Sequence, residues 1–225
     1  MASMGSTPGT QSLSNTMTDL MTSLAVIFIL LLVVFLKQAH DQSKRAKDQV
    51  KQQLGVLLQE KDLALRQESD DPLTLTVMVG ENQLRFPLAG YALSHDGQKF
   101  VDQFFSQFAR KICQPGMKEK VDSIVIEGHT DTSGERNAEG VRKNILLSQK
   151  RSLSVLERAM TSVQNDTETY ECLLRLSSAT GRGSRRPVLA ADGRYSADLS
   201  RRVEIKIRVR SAEQQFRKIA APPSS

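Results

Sequence analysis

Tryptophan is absent from this 225-residue chain, and there are only two cysteines, three tyrosines and seven prolines. The lone cysteine pair, Cys113 and Cys172, forms no CxxC, which argues against a thiolate zinc site. Lysine and arginine never run longer than two in a row, so the net charge of +6 marks no nucleic-acid-binding stripe. Serine and histidine are present, but no spacing arranges them as a catalytic triad, and GRG at 181–183 is too short for a phosphate loop. His129 near Asp131 offers too few ligands for a metal. The sequence therefore predicts neither an enzyme nor a cofactor protein.

Charge is also missing from the first part of the chain. The first 37 residues hold one Asp, Asp19, and one Lys, Lys37. From Leu24 to Leu36 there are thirteen apolar residues without a breaker. Extended to residues 16–36, the run would span about 31 Å as a helix, one hydrocarbon thickness. A signal peptide is a poorer reading, because no Lys or Arg precedes the run and no small-x-small site follows it. The pattern predicts a disordered tail over 1–15 and a transmembrane helix over 16–37. Asp19 is the awkward residue, since a charge in hydrocarbon costs roughly 3 kcal/mol or more. It either caps the helix or serves a purpose inside the membrane.

Residues 38–71 are rich in Gln, Lys, Asp and Leu. Val50, Leu54 and Leu57 fall at coiled-coil spacing, but Lys61 and Ala64 would come next, so the seam decays. A helical stalk, transiently paired, is predicted. The remainder, 72–211, reads as one α+β domain, followed by a tail over 212–225. Strands are predicted over 73–79, 83–86, 122–127, 173–178 and 202–209. Helices are predicted over 94–112, with Phe100, Phe104, Phe105 and Phe108 on one face, and over 148–162, with Leu153, Leu156 and Met160 inward. Strands alternating with helices imply a layered sheet.

Three segments lie in order within this domain: IEGHTDTSG at 126–134, NILLSQKRS at 144–152 and SRRVEIKI at 200–207. Together with FPLAGYALSHDG at 86–97 they resemble the OmpA-like peptidoglycan-binding domain, over residues 86–209. The resemblance implies a βαβαβ core, a mixed sheet with helices on one face. It also implies binding of the diaminopimelate stem of peptidoglycan, with Asp131 taking the ammonium and Arg151 the carboxylate. Thr130, Asn144 and Leu147 would line the same site. The chemistry suits a zwitterion, which needs one anion and one planar cationic fork on rigid elements. Ser152 and Ser200 depart from the family's usual Ala and Asn. In isolation, Asp131 could equally cap a turn and Arg151 sit solvated on a helix.

TDLMTSL at 18–24 resembles the opening of the transmembrane helix of MotB-type stator subunits. That resemblance implies that Asp19 carries the ion, most simply H+, with Thr22 and Ser23 as helpers. It further implies a homodimer inside a ring of five polytopic A subunits, MotA-like or ZorA-like, in the bacterial inner membrane. The N-terminus would be cytoplasmic and the domain periplasmic. Among such subunits the neutral N-terminal tail and the cysteine pair look more like the ZorB subunit of Zorya anti-phage systems than flagellar MotB. Against this orientation, Lys37, Lys44, Arg45, Lys47 and Lys51 all follow the helix, and the positive-inside rule would retain them in the cytoplasm. Cys113 and Cys172 fall at helix-to-strand connections, which lie at one end of a βαβαβ sheet. A disulfide there would close about 60 residues and contribute about 4 kcal/mol. Two buried free thiols are the alternative.

Overall fold

The computed structural model describes residues 9–68 and 70–214, with side chains from residue 17 onward. It divides into two units, 1–42 and 43–225.

The first unit is helical. Helix α1 has the bounds Gly9–Glu60, and every residue from Met17 to Gln38 is exposed. Among the described residues, this is the one helix long and apolar enough to cross a membrane. Residues 9–15, expected as disordered tail, are helical; residues 1–8 lie outside the described residues.

The second unit is built on a five-stranded sheet, order β1-β2-β7-β3-β4. Its strands are β1 (Leu65–Gln67), β2 (Thr74–Gly80), β3 (Val121–His129), β4 (Ser177–Gly183) and β7 (Arg202–Val209). Only β3 and β4 run parallel, so the sheet is mixed. The remaining elements are α2 (Glu81–Leu84), α3 (His95–Cys113), α4 (Ala138–Ser162), α5 (Thr167–Leu176), α6 (Ala197–Ser200) and the hairpin of β5 (Val188–Leu189) and β6 (Tyr195–Ser196).

Alternation decides the two faces of the sheet. Leu75, Val77, Val79, Ile124, Ile126, Val203, Ile205 and Ile207 join the hydrophobic core. Phe104, Phe105 and Phe108 of α3 fill it, with ring centroids 5.2–5.8 Å apart. Ser94 caps α3 by accepting from the Gly97 amide. The opposite face carries Thr76, Glu127, His129, Glu204 and Lys206.

Helix α4 lies unusually close to the sheet. A Cβ on Gly128 would stand 2.1 Å from the Ser148 carbonyl oxygen, and one on Gly181 would stand 2.3 Å from the Gln149 nitrogen. GHTD and GRG are thus the places where β3 and β4 lack side chains so that α4 can dock.

Several sequence expectations change. The segment read as a stalk contributes to the domain: Ala46, Val50, Leu54, Leu57 and Leu58 are buried in its core, and β1 forms its edge strand. Val50, Leu54 and Leu57 do form a buried seam, but what covers it is the core of their own domain rather than a second helix. The strand expected over 83–86 is replaced by the single turn of α2. The strand expected over 173–178 is mostly the end of α5, with β4 starting at Ser177. On α4 the buried residues are Ser148, Arg151, Ser152, Val155 and Ala159; of the three expected inward, Leu156 and Met160 pack against the core half-buried, whereas Leu153 is 43% exposed. The tail predicted over 212–225 falls outside the described residues from 215 onward; Ala212 itself is buried, its amide donating to the Ser43 hydroxyl.

Candidate functional site

Asp131 follows the end of β3, and the loop that carries it is held from several sides. The Ser133 amide donates to Asp131 Oδ1 at 2.9 Å. The Asn144 amide nitrogen, from α4, reaches the Asp131 carbonyl at 3.1 Å, the Ser133 carbonyl at 3.2 Å and Glu135 Oε1 at 2.9 Å. Ser184 donates to the same Glu135 carboxylate, and the Thr132 amide donates to the Tyr195 hydroxyl of β6. Asn144 is thus a positioning residue for the Asp131 loop. Leu147 is half-buried on α4. Thr130 is 5% exposed, and its hydroxyl has no partner among the described residues; its amide donates to the Gly183 carbonyl.

Arg151 enters the same region from the inner face of α4 and is 6% exposed. Its Nε donates to the Gly90 carbonyl at 2.9 Å, and its guanidinium lies 4.9 Å from the Phe86 ring centroid. Its Nη1 is 3.3 Å from Glu81 Oε1. The solvated-helix alternative for Arg151 is therefore excluded.

Asp131 and Arg151 are joined through two residues that the sequence reading did not single out. Arg201 Nη1 donates to Asp131 Oδ2 at 2.6 Å, and Arg201 Nε donates to Glu81 Oε2 at 2.5 Å. Arg201 also pairs with Asp198. The result is a chain of alternating charge: Asp131, Arg201, Glu81, Arg151. Burial works to raise the Asp131 pKa, but the hydrogen bonds from Arg201 and Ser133 outweigh it and hold the carboxyl below its ordinary value. Burial lowers that of Arg151, offset in part by the charge of Glu81. A cleft of 640 Å³ borders Glu81 and Arg201 and is also lined by Asp62, Arg66 and Asp198. The signal for Arg201 was available in SRRVEIKI: the first arginine is the residue just before β7.

The sheet face away from the helices holds a second ionic group. Glu127, His129 and Glu204 converge within 4.8 Å, a spacing compatible with a metal. However, Lys206 Nζ approaches Glu127 Oε1 at 2.6 Å and Glu204 Oε2 at 3.4 Å, and these are the two oxygens nearest His129 Nε2. Arg182 and Arg202 pair with the same carboxylates. The ammonium stands where a cation would bind, so these residues form a structural ion network.

In the first unit, α1 begins at Gly9, more than two turns before Asp19, so Asp19 does not cap it. The Thr22 hydroxyl donates to the Asp19 backbone carbonyl at 2.9 Å rather than to the carboxylate. Asp19, Thr22 and Ser23 are all exposed on α1. Cys113, at the end of α3, and Cys172, within α5, are joined in a disulfide with Cα atoms 5.9 Å apart.

No protein-family model and no curated protein sequence matches the chain. Among solved structures, one described as a MotB-like protein from Desulfovibrio vulgaris is 18% identical at a TM-score of 0.51, covering 77% of this chain and 98% of that one. The periplasmic domain of Helicobacter pylori MotB (residues 90-256) is 16% identical at a TM-score of 0.47, covering 72% and 91%. The cell wall anchor of the type VI secretion system from Pseudomonas aeruginosa is 19% identical at a TM-score of 0.46, covering 72% and 97%. At such identities the likeness is one of architecture, and what it establishes is the fold: the mixed, helix-covered sheet of this chain is that of the MotB-like protein.

Proposed function

We propose that this chain is the membrane-anchored, peptidoglycan-binding B subunit of an ion-driven, MotAB-like stator. The observation that carries the reading is the convergence of Asp131 and Arg151, both buried and 20 residues apart in sequence, on one ionic chain through Glu81 and Arg201. A buried anion and a buried cationic fork on rigid elements suit the ammonium and carboxylate of a diaminopimelate stem. The chain makes and breaks no covalent bond in this role.

The second support is Asp19 within the apolar run of α1, away from the start of the helix. An intramembrane carboxylate facing a protein interior can bind and release a proton. Two copies would place their helices at the centre of a ring of five polytopic subunits. Proton passage at Asp19 would step the ring, and the wall-bound domains would hold the pair still. Each charge moved across 100 mV supplies about 2.3 kcal/mol, several times RT. The cysteine pair favours a ZorB-type anti-phage stator over a flagellar one. The domain would lie in the periplasm, where a disulfide persists.

Asp131→Ala and Arg151→Ala should each abolish peptidoglycan pull-down; binding retained in both refutes the wall site. Asp19→Asn should abolish motor output while assembly persists. Output unchanged by Asp19→Asn would instead support a passive membrane-to-wall tether, the reading favoured by the domain alone.

A further inference from the structure

The wall site described above is filled by its own side chains. A guanidinium, that of Arg201, sits on the anion Asp131. A carboxylate, that of Glu81, sits on the cation Arg151. Glu81 and Arg201 are also bonded to each other, so together they present the opposite charges of a zwitterion as one neutral unit. From this geometry we infer that the Glu81–Arg201 pair is an internal ligand surrogate that determines specificity: the site opens to a ligand carrying both an ammonium and a carboxylate, and stays shut to either charge alone. The inference rests on the proposed wall site.

The reason lies in what each ligand would strand. Asp131 and Arg151 are 8% and 6% exposed, so either one left unpaired is a buried charge without a counterion. A simple amine that displaces Arg201 from Asp131 breaks one ion pair and makes one, with no net gain. If Glu81 then follows Arg201, Arg151 is stranded. A simple carboxylate meets the mirror-image problem at Arg151. A zwitterion replaces both partners in one event, and Glu81 and Arg201 leave still paired. The 640 Å³ cleft beside them is lined by Arg66, which can receive Glu81, and by Asp62 and Asp198, which can receive Arg201. Arg201 already holds Asp198.

The test is calorimetric titration of the full-length chain in detergent with three probes: meso-diaminopimelate, cadaverine and pimelate. The wild type should bind diaminopimelate alone. Arg201→Gln should gain cadaverine binding, and Glu81→Gln should gain pimelate binding, each at least tenfold over wild type. Arg201→Lys, which keeps the charge, should restore exclusion of cadaverine. Thermal melts separate these effects from unfolding. Wild-type binding of cadaverine as tight as diaminopimelate overturns the inference. So does diaminopimelate binding by the wild type with no gain in either variant, which leaves the wall site standing. No binding by any form, together with unchanged peptidoglycan pull-down in Asp131→Ala, overturns both.

Discussion

Lys206 is the residue on which the polar face of the sheet depends. It stands between Glu127 and Glu204, two carboxylates that are 2% and 6% exposed. Burial works to raise both their pKa values. For Glu204, the close approach of His129 and the charge of Arg202 prevail and hold it at about 2; Glu127 is held well below its ordinary value by His129, Lys206 and Arg182. Depressed carboxylates contribute stability that is complete above the unfolded value, near 4.5, and is lost as the pH falls through the folded value. Urea midpoints should therefore drop progressively below about pH 4.5. Lys206→Met leaves two buried like charges facing each other and should cost about 3–5 kcal/mol at neutral pH, with the acid loss moved to higher pH. An unchanged melting temperature in that variant would contradict the network. None of this was visible in VEIKI as a pattern beyond the alternation itself. Alternation tells which residues share a face, but not that the polar face is closed over by long arginine and lysine side chains.

The elements were legible where hydrophobic period and burial coincide. Arg202–Val209 is a strand with Val203, Ile205, Ile207 and Val209 buried, as its alternation predicts. The strand β4 was misplaced because SSATGRG has no large apolar residue to announce it. Its inner face is covered by the backbone of α4, which needs glycine rather than leucine there. The preceding LLRL run belongs to α5, whose apolar stripe holds Cys172, Leu173 and Leu176 against the core. Because Cys172 is on α5, the disulfide ties that helix to the end of α3 across 59 residues. Reducing it, or replacing both cysteines by serine, should lower stability by about 4 kcal/mol through loop-closure entropy alone. An equilibrium denaturation curve unmoved by reductant would show that the tie is redundant with packing. The Val50, Leu54, Leu57 stripe teaches the same lesson from the other side. Spacing identifies a buried seam, and only the fold reveals what buries it.

At the scale of the whole molecule, two units carry different chemistry: an exposed apolar helix with Asp19 at the edge of its apolar run, and a sheet domain with an ionic chain whose two ends, Asp131 and Arg151, are buried. Asp131 and Arg151 were singled out only through the resemblance of GHTD and LSxxR to a family pattern, since neither pattern by itself tells a loop carboxylate from a turn cap or a buried helix arginine from a solvated one. Glu81 was not readable, because its place depends on α2, a single turn in a segment of no clear period. The proposed stator joins the two units through assembly: the helix must find a ring, and the domain must find the wall. A passive tether needs neither a ring nor a second copy. The most direct test is native mass spectrometry of the chain co-expressed with its genomic neighbours and purified from the membrane. Five polytopic subunits to two copies of this chain is the predicted result. A homodimer or monomer alone, with no polytopic partner bound, would contradict the stator.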